Sequence, residues 1–505
     1  MFSEDNEGRR GKIKGAPHPK VIEHISAKVL KNDLATSYQV FLDLNKAHVL
    51  MLAKQGIIAQ DVAKAILTVT DEMAKMGDTP TFECIPERED IYPNLEHYLI
   101  SKVGIEIGGQ QHTARSRNDL ANTATRLTLR KYYFKICDAF NKMRQTVIDV
   151  ARANTDAVMP GYTHLQASEP ITFAHYCAAV LGALDRDYRR IAHVYDALNL
   201  NSLGGGSMGS TTWNIDRKYT SELLGFDRPL DNSLDSVASR DYVIDFLAAI
   251  SIAANTFSRF CFDLYIWCAT DYGYVEVDDN AAVCSSIMPQ KKNPWTLEHI
   301  KAKAGHIEGY FIGAINTLKN TPYTNICDVS GETDAHLYDA CDEMLASIEL
   351  LDITVAGIKL NKEHMLECAR GDFCTVTELA NNLVRHDKIS FRAAHEIVAL
   401  IVDDMVTNKK KANEIGVAEV NGPFMKLFGK TTAMTDADIQ KALDPVLNAN
   451  SKVVLGGTAP VEVNRQLDVS QKALDADVAE NADRQARVAA AKARMEELVQ
   501  KTIAS

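Results

Sequence analysis

Long helical patterns of apolar residues dominate this sequence. Apolar side chains recur at helical spacing from His24 to Lys75, until the turn residues of 77–80 interrupt the pattern. A helix of about 30 residues is about 45 Å long, whereas globular helices average about 11–12 residues. Helices this long suit a bundle in which they are buried on more than one side. Five such patterns cover about 118–153, 170–198, 236–268, 294–318 and 334–353.

The change in helix length along the chain predicts an all-α protein with three domains. We expect an N-terminal helical domain over 1–115, a central long-helix bundle over 116–370 and a C-terminal helical domain over 371–505. Residues 1–20 resemble a charged arm, and Ser470–Val499 is rich in Ala, Lys, Arg and Glu, which predicts a solvent-facing helix. The bundle of one chain would leave apolar stripes exposed, so we expect a homo-oligomer.

Composition excludes several classes of partner. The net charge is −12 with both signs interspersed, so the chain lacks the basic stripe that nucleic-acid binding needs. The 10 cysteines follow no regular framework and no zinc-site spacing, which indicates reduced thiols and a cytoplasmic location. We find no secretory signal and no apolar stretch of the ~20 residues that a membrane span needs. The acidic residues have no metal-ligand spacing, and we expect no cofactor.

The segment Cys284–Pro294 carries the most chemical information, and a polar linker of small residues precedes it. Asn293 followed by Pro294 predicts a helix start, with Asn as the N-cap and Pro at the first helical position. The free N–H groups of that helix, together with Lys291 and Lys292, would make an anion site beside two serines. Composition alone favours a simpler interpretation, a serine-rich loop that caps a helix.

This segment resembles the signature loop of the fumarase/aspartase superfamily, G-S-S-x-M-P-x-K-x-N, with Cys284 where Gly is usual. Three further segments resemble the argininosuccinate lyase branch, in the family's order and approximate spacing over about 85–400. The branch has H-T-[AG]-R-S-R-N-D, M-P-G-Y-T-H-L-Q and N-S-L-D…R-D, which match His112–Asp119, Met159–Gln166 and Asn232–Asp241. Four motifs together are far more specific than any one of them.

The resemblance implies a mostly helical three-domain subunit and a homotetramer whose active sites are each assembled from three subunits. It also implies a carbon–nitrogen lyase that cleaves an N-succinylated amine to fumarate and free amine by anti-elimination. Ser285 would be the base that removes a proton from the CH₂ next to a carboxylate. The aci-carboxylate that forms is doubly charged and needs converging cations and N–H donors. Lys291 and Asn293 are the candidates for that role.

The resemblance also assigns the proton for the leaving nitrogen and the ligands of the succinyl group. His164 is the candidate general acid, directly or through water, because histidine is the side chain most often used for proton transfer near neutral pH. Glu298 would orient His164 from a neighbouring subunit. The expected ligands of the succinyl carboxylates are Ser116, Arg117, Asn118 and Thr163.

Two features of the motifs have an alternative interpretation. Arg117, and Arg115 as a weaker candidate, would bind a carboxylate, but both are also typical of surface residues that pair with acids at a helix start. The cluster Gly204–Gly206, followed by Ser207, either brings backbone N–H groups to the substrate or forms a turn between helices.

The match fails on the side of the leaving amine. The branch usually has L-P-x-x-Y-N-K-D-L-Q-E-D-K where this chain has Thr321–Thr333. Asn325, and Ser330 or Gly331, stand near the branch's Tyr and Gln, so Asn325 and Ser330 are candidate substrate ligands. The branch's N-terminal W-G-G-R-F block is absent, and Arg9–Lys12 is the nearest segment. We therefore expect retained elimination chemistry with a changed amine.

The identity of the amine stays open at this point. Argininosuccinate is one candidate, with its guanidinium bound by Asp328 or Glu332, and ethylenediamine-N,N′-disuccinate is another. Other reactions of the superfamily, such as adenylosuccinate cleavage, ammonia release from aspartate or fumarate hydration, are disfavoured by the branch-specific blocks. A non-catalytic, crystallin-like homologue is disfavoured because Ser285, Lys291 and His164 are all present.

Overall fold

The computed structural model describes residues 15–505, and the segment Arg9–Lys12 lies outside the described residues. Short helices build the N-terminal part, and a π-helical turn over Ile22–Ser26 joins the first two of them. These helices are α1 (Pro19–Val21), α2 (Ala27–Thr36), α3 (Tyr38–Lys54), α4 (Gln60–Ala74), α5 (Ile91–Val103) and α6 (Ile105–Gly108).

Five long helices form a bundle in the middle of the chain, joined by two shorter ones. They are α7 (Arg117–Arg152), α8 (Phe173–Leu198), α9 (Arg217–Leu224), α10 (Ser233–Ala238), α11 (Asp241–Trp267), α12 (Trp295–Leu318) and α13 (Leu337–Ala356). Shorter helices follow, and a very long one ends the chain. They are α14 (Lys362–Gly371), α15 (Val376–Asp387), α16 (Phe391–Thr407), α17 (Val417–Phe428), α18 (Asp436–Leu443), α19 (Pro445–Ser451) and α20 (Pro460–Ala504).

The strands are short and pair two by two, so the fold is all-α as predicted. An antiparallel hairpin joins β1 to β2, and the remaining pairs are β3–β4, β5–β8 and β6–β7. The strands are β1 (Val158–Thr163), β2 (Gln166–Thr172), β3 (Leu200–Asn201), β4 (Arg228–Pro229), β5 (Val275–Glu276), β6 (Val283–Cys284), β7 (Lys292–Asn293) and β8 (Lys359–Leu360).

Hydrophobic side chains form three separate cores. The largest lies among α7, α8, α11, α12 and α13. A second lies among α3, α4, α5 and the first turns of α7, and a third joins α15 to α18. Helix α20 contributes to two cores, since Leu467 and Leu474 join the first, and Met495 and Val499 join the second. The prediction of a solvent-facing C-terminal helix is therefore wrong for the face of α20 that carries these four side chains. The domain boundaries at 115 and 370 stay a prediction.

Three predicted helix boundaries are wrong, each for a local reason. The pattern over 236–268 is broken before α11, because buried Arg240 leaves the helical conformation and donates to the Ser239 carbonyl at 2.8 Å. The pattern over 170–198 becomes helical only at Phe173, because the residues before it pair in β2. Asn293 is not an N-cap, because it pairs with Val283 in the β6–β7 ladder, and Pro294 takes the capping position instead.

Helix α11 is the one described helix that is long and apolar enough to cross a membrane by length and composition. This differs from the prediction, which found no apolar stretch of that length. In the most apolar window of α11, 56% is buried inside the subunit. The same test is met by core helices of bundles, and α11 lies at the centre of the largest core.

Candidate active site

The predicted site residues lie at two ends of the bundle. Ser116 caps the first turn of α7, which has 36 residues and is therefore about 54 Å long. The hairpin that carries Thr163 and His164 follows the other end of that helix. Tyr162 of the hairpin contacts Tyr274 beside β5, with 2.6 Å between the hydroxyl oxygens. The loop that carries Ser285 is anchored at this same end, since Lys292 at its base pairs with Glu276 of β5.

The Ser285 loop spans the turn between β6 and β7. Its base is closed by the Ser285 N–H, which donates to the Lys291 carbonyl at 3.1 Å. The Ser285 Oγ accepts N–H groups from Ile287 at 3.3 Å and from Met288 at 3.1 Å. Ile287 is 81% exposed, so the loop projects from the subunit surface. Two N–H donors that converge on one oxygen favour negative charge on it.

The two lysines of the loop have different surroundings. Lys292 is held at the base of the loop by Glu276 at 2.7 Å and Asp279 at 2.6 Å. These two carboxylates raise the pKa of Lys292. Lys291 is exposed and, within residues 15–505, makes no ion pair. In the described chain Lys291 is therefore the unpaired cation of the loop, whereas Lys292, which we also expected at the anion site, is neutralised by acids.

Glu298 lies on the first turn of α12, three residues after Trp295, and is exposed. Its Oε1 accepts a hydrogen bond from the Tyr265 hydroxyl of α11 at 3.2 Å, and Glu298 raises the pKa of Tyr265. Lys301 lies over the Tyr265 ring, 4.5 Å from its centroid. Sequence analysis missed Tyr265, because no motif connects it to the signature segment.

His164 lies at the tip of the β1–β2 hairpin. Thr163 pairs with Gln166, so His164 and Leu165 form a two-residue turn, and their φ angles are 56° and 57°. Such turns require a positive φ at both positions and favour Asn and Gly, so His and Leu are strained here. Thr163 and His164 are exposed. In the described part of this single chain, no hydrogen bond joins His164 to Glu298 or Ser285.

The opposite end of α7 begins with a capping box. The Ser116 Oγ accepts the Asn118 N–H at 3.3 Å, and Asp119 accepts the Ser116 N–H at 2.9 Å. The other Asp119 oxygen accepts the N–H groups of Gly204 at 2.7 Å and Gly206 at 3.1 Å. Burial raises the pKa of the Asp119 carboxyl, and these N–H groups oppose that rise.

The glycine cluster is therefore a turn bound to α7. The N–H groups of Gly204 and Gly206 donate to Asp119 and that of Gly205 donates to the Ser202 carbonyl, which contradicts the interpretation that they reach the substrate. Asp119 itself was missed, although the spacing of Ser116 and Asp119 is a capping signature that sequence analysis can recognise. The Asn118 side chain, which we expected to bind substrate, donates to the Ser207 carbonyl of this turn at 3.1 Å.

Arg117 pairs with two acids in the isolated chain. Its Nη1 lies 2.7 Å from Glu89 and 3.1 Å from Asp90, which agrees with the alternative interpretation of this residue. Burial acts to lower the pKa of Arg117, but the two carboxylates outweigh it and raise that pKa. Arg115 is buried, and its Nη2 donates to the Asn45 Oδ1 at 2.8 Å. Only Arg117 of the two arginines is exposed to a ligand.

The divergent segment 321–333 lies at the Arg117 end of the bundle. Tyr323, which is 66% exposed, donates its hydroxyl to Asp235 of α10 at 2.6 Å, and that bond raises the pKa of Tyr323 to about 12. The Asn325 Oδ1 is buried without a hydrogen-bond partner, whereas Ser330 donates to the Ile326 carbonyl at 3.1 Å. Sequence analysis missed the Tyr323–Asp235 pair, since it joins two distant motifs.

Comparison with known proteins identifies the family. A model of the lyase family matches residues 15–309, and a model of the argininosuccinate lyase C-terminal region matches residues 373–449. Argininosuccinate lyase 1 of Shouchella clausii (strain KSM-K16) is 43% identical over 467 residues, covering 92% of this chain and 94% of that protein. This chain belongs to the argininosuccinate lyase branch of the fumarase/aspartase superfamily. As a branch member it is a carbon–nitrogen lyase that produces fumarate from a small-molecule substrate.

Two further relatives support the same family, and a more distant structure shows the same fold. Argininosuccinate lyase of Methanocaldococcus jannaschii is 34% identical over 468 residues, covering 92% of this chain and 94% of that protein. The crystal structure of EDDS lyase in complex with formate has a TM-score of 0.86 at 30% identity and covers 98% of each chain. A class II fumarase from Schistosoma mansoni, at 15% identity and a TM-score of 0.66, covers 83% of this chain and 94% of its own and shares the fold.

No group of three or more His, Cys, Asp or Glu side chains within residues 15–505 is arranged to hold a metal ion. The candidate site residues of the described chain fall into two groups. Ser285, Lys291 and His164 lie at one end of the bundle, and Arg117 lies at the other.

Proposed function

We propose that this lyase cleaves an N-succinylated amine to fumarate and free amine, with Ser285 as the base that abstracts the proton. The observation that carries the proposal is the pair of N–H groups, from Ile287 and Met288, that donate to the Ser285 Oγ. A serine hydroxyl is a weak acid, and such donors stabilise the alkoxide-like form that a base requires. The exposed ammonium of Lys291 on the same loop adds a full positive charge.

The doubly charged intermediate needs further stabilisation. The loop ends at the start of α12, whose first N–H groups carry a partial positive charge. We assign Lys291, Asn293 and this helix terminus to the developing aci-carboxylate. One preorganised donor of this kind typically contributes about 2.7–4 kcal/mol in the transition state.

We assign the leaving-group proton to His164. The strained turn keeps the imidazole exposed at the hairpin tip, where it can approach a substrate. Glu298 is exposed at the same end of the bundle and would accept a hydrogen bond from a His164 of another subunit. That contact would orient the imidazole for proton transfer.

The position of these groups supports a site shared between subunits. The succinyl ligands Ser116, Arg117 and Asn118 are about 54 Å along α7 from the hairpin end, since that helix has 36 residues. Antiparallel packing of two bundles would bring the Arg117 end of one chain to the Ser285 end of another. This is the arrangement expected of the homotetramer with sites assembled from three subunits.

One face of α12 favours such packing. Gly305, Gly309 and Gly313 are spaced four residues apart, and a Cβ added to any of them would meet no atom within 4 Å. Ile312 is 54% exposed and Ile315 is 39% exposed on the same helix. Exposed apolar side chains beside a surface that lacks side chains allow close approach of another helix.

The divergent segment 321–333 leaves two candidates for the amine. We propose argininosuccinate and ethylenediamine-N,N′-disuccinate as the two substrates to compare. Relatives named argininosuccinate lyase support the first, and the EDDS lyase structures support the second. Asn325 and Ser330 are the proposed ligands on this side, since the unpartnered Oδ1 of Asn325 can accept an N–H group of the amine.

Substitution of the base tests the proposal. Ser285→Ala is expected to lower kcat for fumarate release by about 10²–10⁴-fold, because the general base is lost. The matched control is Ser286→Ala, which changes the next serine of the loop and is expected to lower kcat less than about tenfold. Fumarate absorbance, followed with each substrate, gives both rates. Full turnover by Ser285→Ala would refute the assignment.

A further inference from the structure

A cavity of about 130 Å³ lies behind the β1–β2 hairpin. Its wall includes Tyr162 and Leu165 of the hairpin, Tyr176 of α8, and Trp267 and Tyr272 at the end of α11. None of the proposed catalytic or substrate-binding residues lines it. It is therefore a separate space that shares only the hairpin with the active site.

Four aromatic residues contribute to this wall, beside aliphatic side chains and one carboxylate. The rings of Tyr176 and Trp267 are nearly perpendicular, with centroids 4.7 Å apart, and those of Tyr162 and Tyr272 meet edge to face at 5.7 Å. The face of an aromatic ring attracts a cation that lies within about 6 Å of its centroid. Four rings around one small cavity make it more favourable for a cation than for an anion.

A carboxylate completes the cavity. Asp263 lines it, and its Oδ2 accepts the Tyr176 hydroxyl at 2.6 Å. Among residues 15–505, Asp263 forms no ion pair with a Lys, Arg or His side chain. A carboxylate within an aromatic wall is stabilised when a cation lies beside it. No basic side chain lines the cavity to supply that charge.

The cavity volume limits the ligand. An engineered apolar cavity of about 150 Å³ holds benzene, so this one has room for about four to six heavy atoms. We propose that the cavity binds a small primary organic ammonium ion, with its charge between Asp263 and the aromatic faces. Its alkyl part would contact Leu165 and the rings.

Binding would also affect the hairpin. Leu165 is part of the strained turn and Tyr162 lies on the strand that enters it, so a bound ammonium ion would contact the hairpin at both places. A change in turnover on binding would rest on the proposed role of His164, since His164 stands in this turn. The binding itself does not, because it depends only on the cavity.

Calorimetry tests the binding directly. The intact protein is titrated with n-propylammonium chloride and, separately, with 1-propanol, an uncharged molecule of the same size. We expect saturable, millimolar binding of the ammonium ion and no saturable binding of the alcohol. Amide hydrogen exchange of 158–172 is expected to slow when the ammonium ion is bound. A cavity that holds only water would give no saturable heat, and equal binding of the alcohol would contradict a cation site.

Two variants identify the residues responsible. Asp263→Asn is expected to weaken n-propylammonium binding by about tenfold or more. The matched control is Asp271→Asn, because Asp271 is an exposed acid on the neighbouring turn and does not line the cavity. Tyr272→Leu keeps an apolar wall but removes one ring, and it is also expected to weaken binding. If Asp263→Asn does not fold, Tyr272→Leu provides the test instead. Unchanged n-propylammonium binding in whichever of these two variants folds would overturn the proposal.

Discussion

At the scale of single residues, the side chains of the proposed mechanism depend on neighbours that hold them. Ser285 is held by N–H groups of its own loop, whereas Glu298 is held by a hydroxyl from a different helix. Glu298 stands on the first turn of α12, and the Tyr265 hydroxyl fixes one of its two oxygens. Tyr265 is therefore a positioning residue in the proposed mechanism.

Tyr265→Phe tests this role. The ring and the Lys301 contact above it are kept, but the 3.2 Å hydrogen bond to Glu298 is lost. We expect kcat to fall about fivefold, the effect of about 1 kcal/mol, with little change in KM. Tyr310→Phe is the control, since Tyr310 lies on α12 and its ring stacks on His336 away from Glu298. A parallel change in both variants would contradict a specific role.

Candidate residues could be chosen from the sequence where the motifs are local. Ser285, Lys291 and His164 stand in continuous motifs, and the family resemblance of those motifs predicts a role for each. Tyr265 and Tyr323 act through partners far away in sequence, Glu298 and Asp235. Such pairs form only when separate helices pack, so no spacing in the sequence indicates them.

At the scale of elements, the start of α7 depends on a buried carboxylate that binds a glycine turn. Gly204 has a φ of 90°, and a Cβ there would lie 2.8 Å from the Arg217 Cγ and 2.9 Å from the Ile215 Cδ1. A Cβ on Gly205 would lie 2.8 Å from the Ser236 Cβ. Packing therefore requires glycine at both positions, and the positive φ adds a backbone requirement at Gly204.

Gly204→Ala is expected to destabilise the protein by about 2–3 kcal/mol, because it combines a strained φ with a steric clash. The thermal unfolding midpoint measures this change. Gly209→Ala is the matched control, since a Cβ at Gly209 would meet no atom within 4 Å. Equal midpoints for the two variants would show that the turn relaxes without cost.

Elements were predicted well where apolar periodicity extends over many residues, as in α7, α12 and α13. The hairpin β1–β2 was missed, because Pro160, Gly161 and Pro170 interrupt any period there. The break at Arg240 was also missed. Apolar residues continue on both sides of it, and only the burial of that guanidinium shows why the helix stops.

At the scale of the whole molecule, the ends of one bundle are too far apart to form one site. Ser285 and Arg117 lie at opposite ends of the bundle, and α7 alone is about 54 Å long. If each site takes these two residues from different chains, two inactive variants can complement each other in mixed oligomers.

Ser285→Ala and Arg117→Ala are each expected to be inactive alone. Refolded together in equal amounts, they are expected to recover about a quarter of the wild-type activity, because half of the chains carry each intact group. Fumarate release measures the recovery. Absence of any recovery would indicate that one chain supplies both residues.

A second pair provides the control for complementation. Ser285 and Lys291 lie on one loop, so a site receives both from the same chain. Mixing Ser285→Ala with Lys291→Ala is expected to give no recovery. Recovery in this control would mean that subunit exchange does not explain the first result.

The sequence by itself determined the all-α class, the long helices and the motifs of the candidate site. Apolar periodicity and motifs depend only on residues that are close together in the sequence. Tertiary structure decided that Asp119 binds the glycine turn, that Tyr265 holds Glu298 and that α20 contributes to two cores. It also separated Arg117 from Ser285 along the bundle. These contacts join residues tens to hundreds of positions apart, and packing free energy selects them only when the whole chain folds.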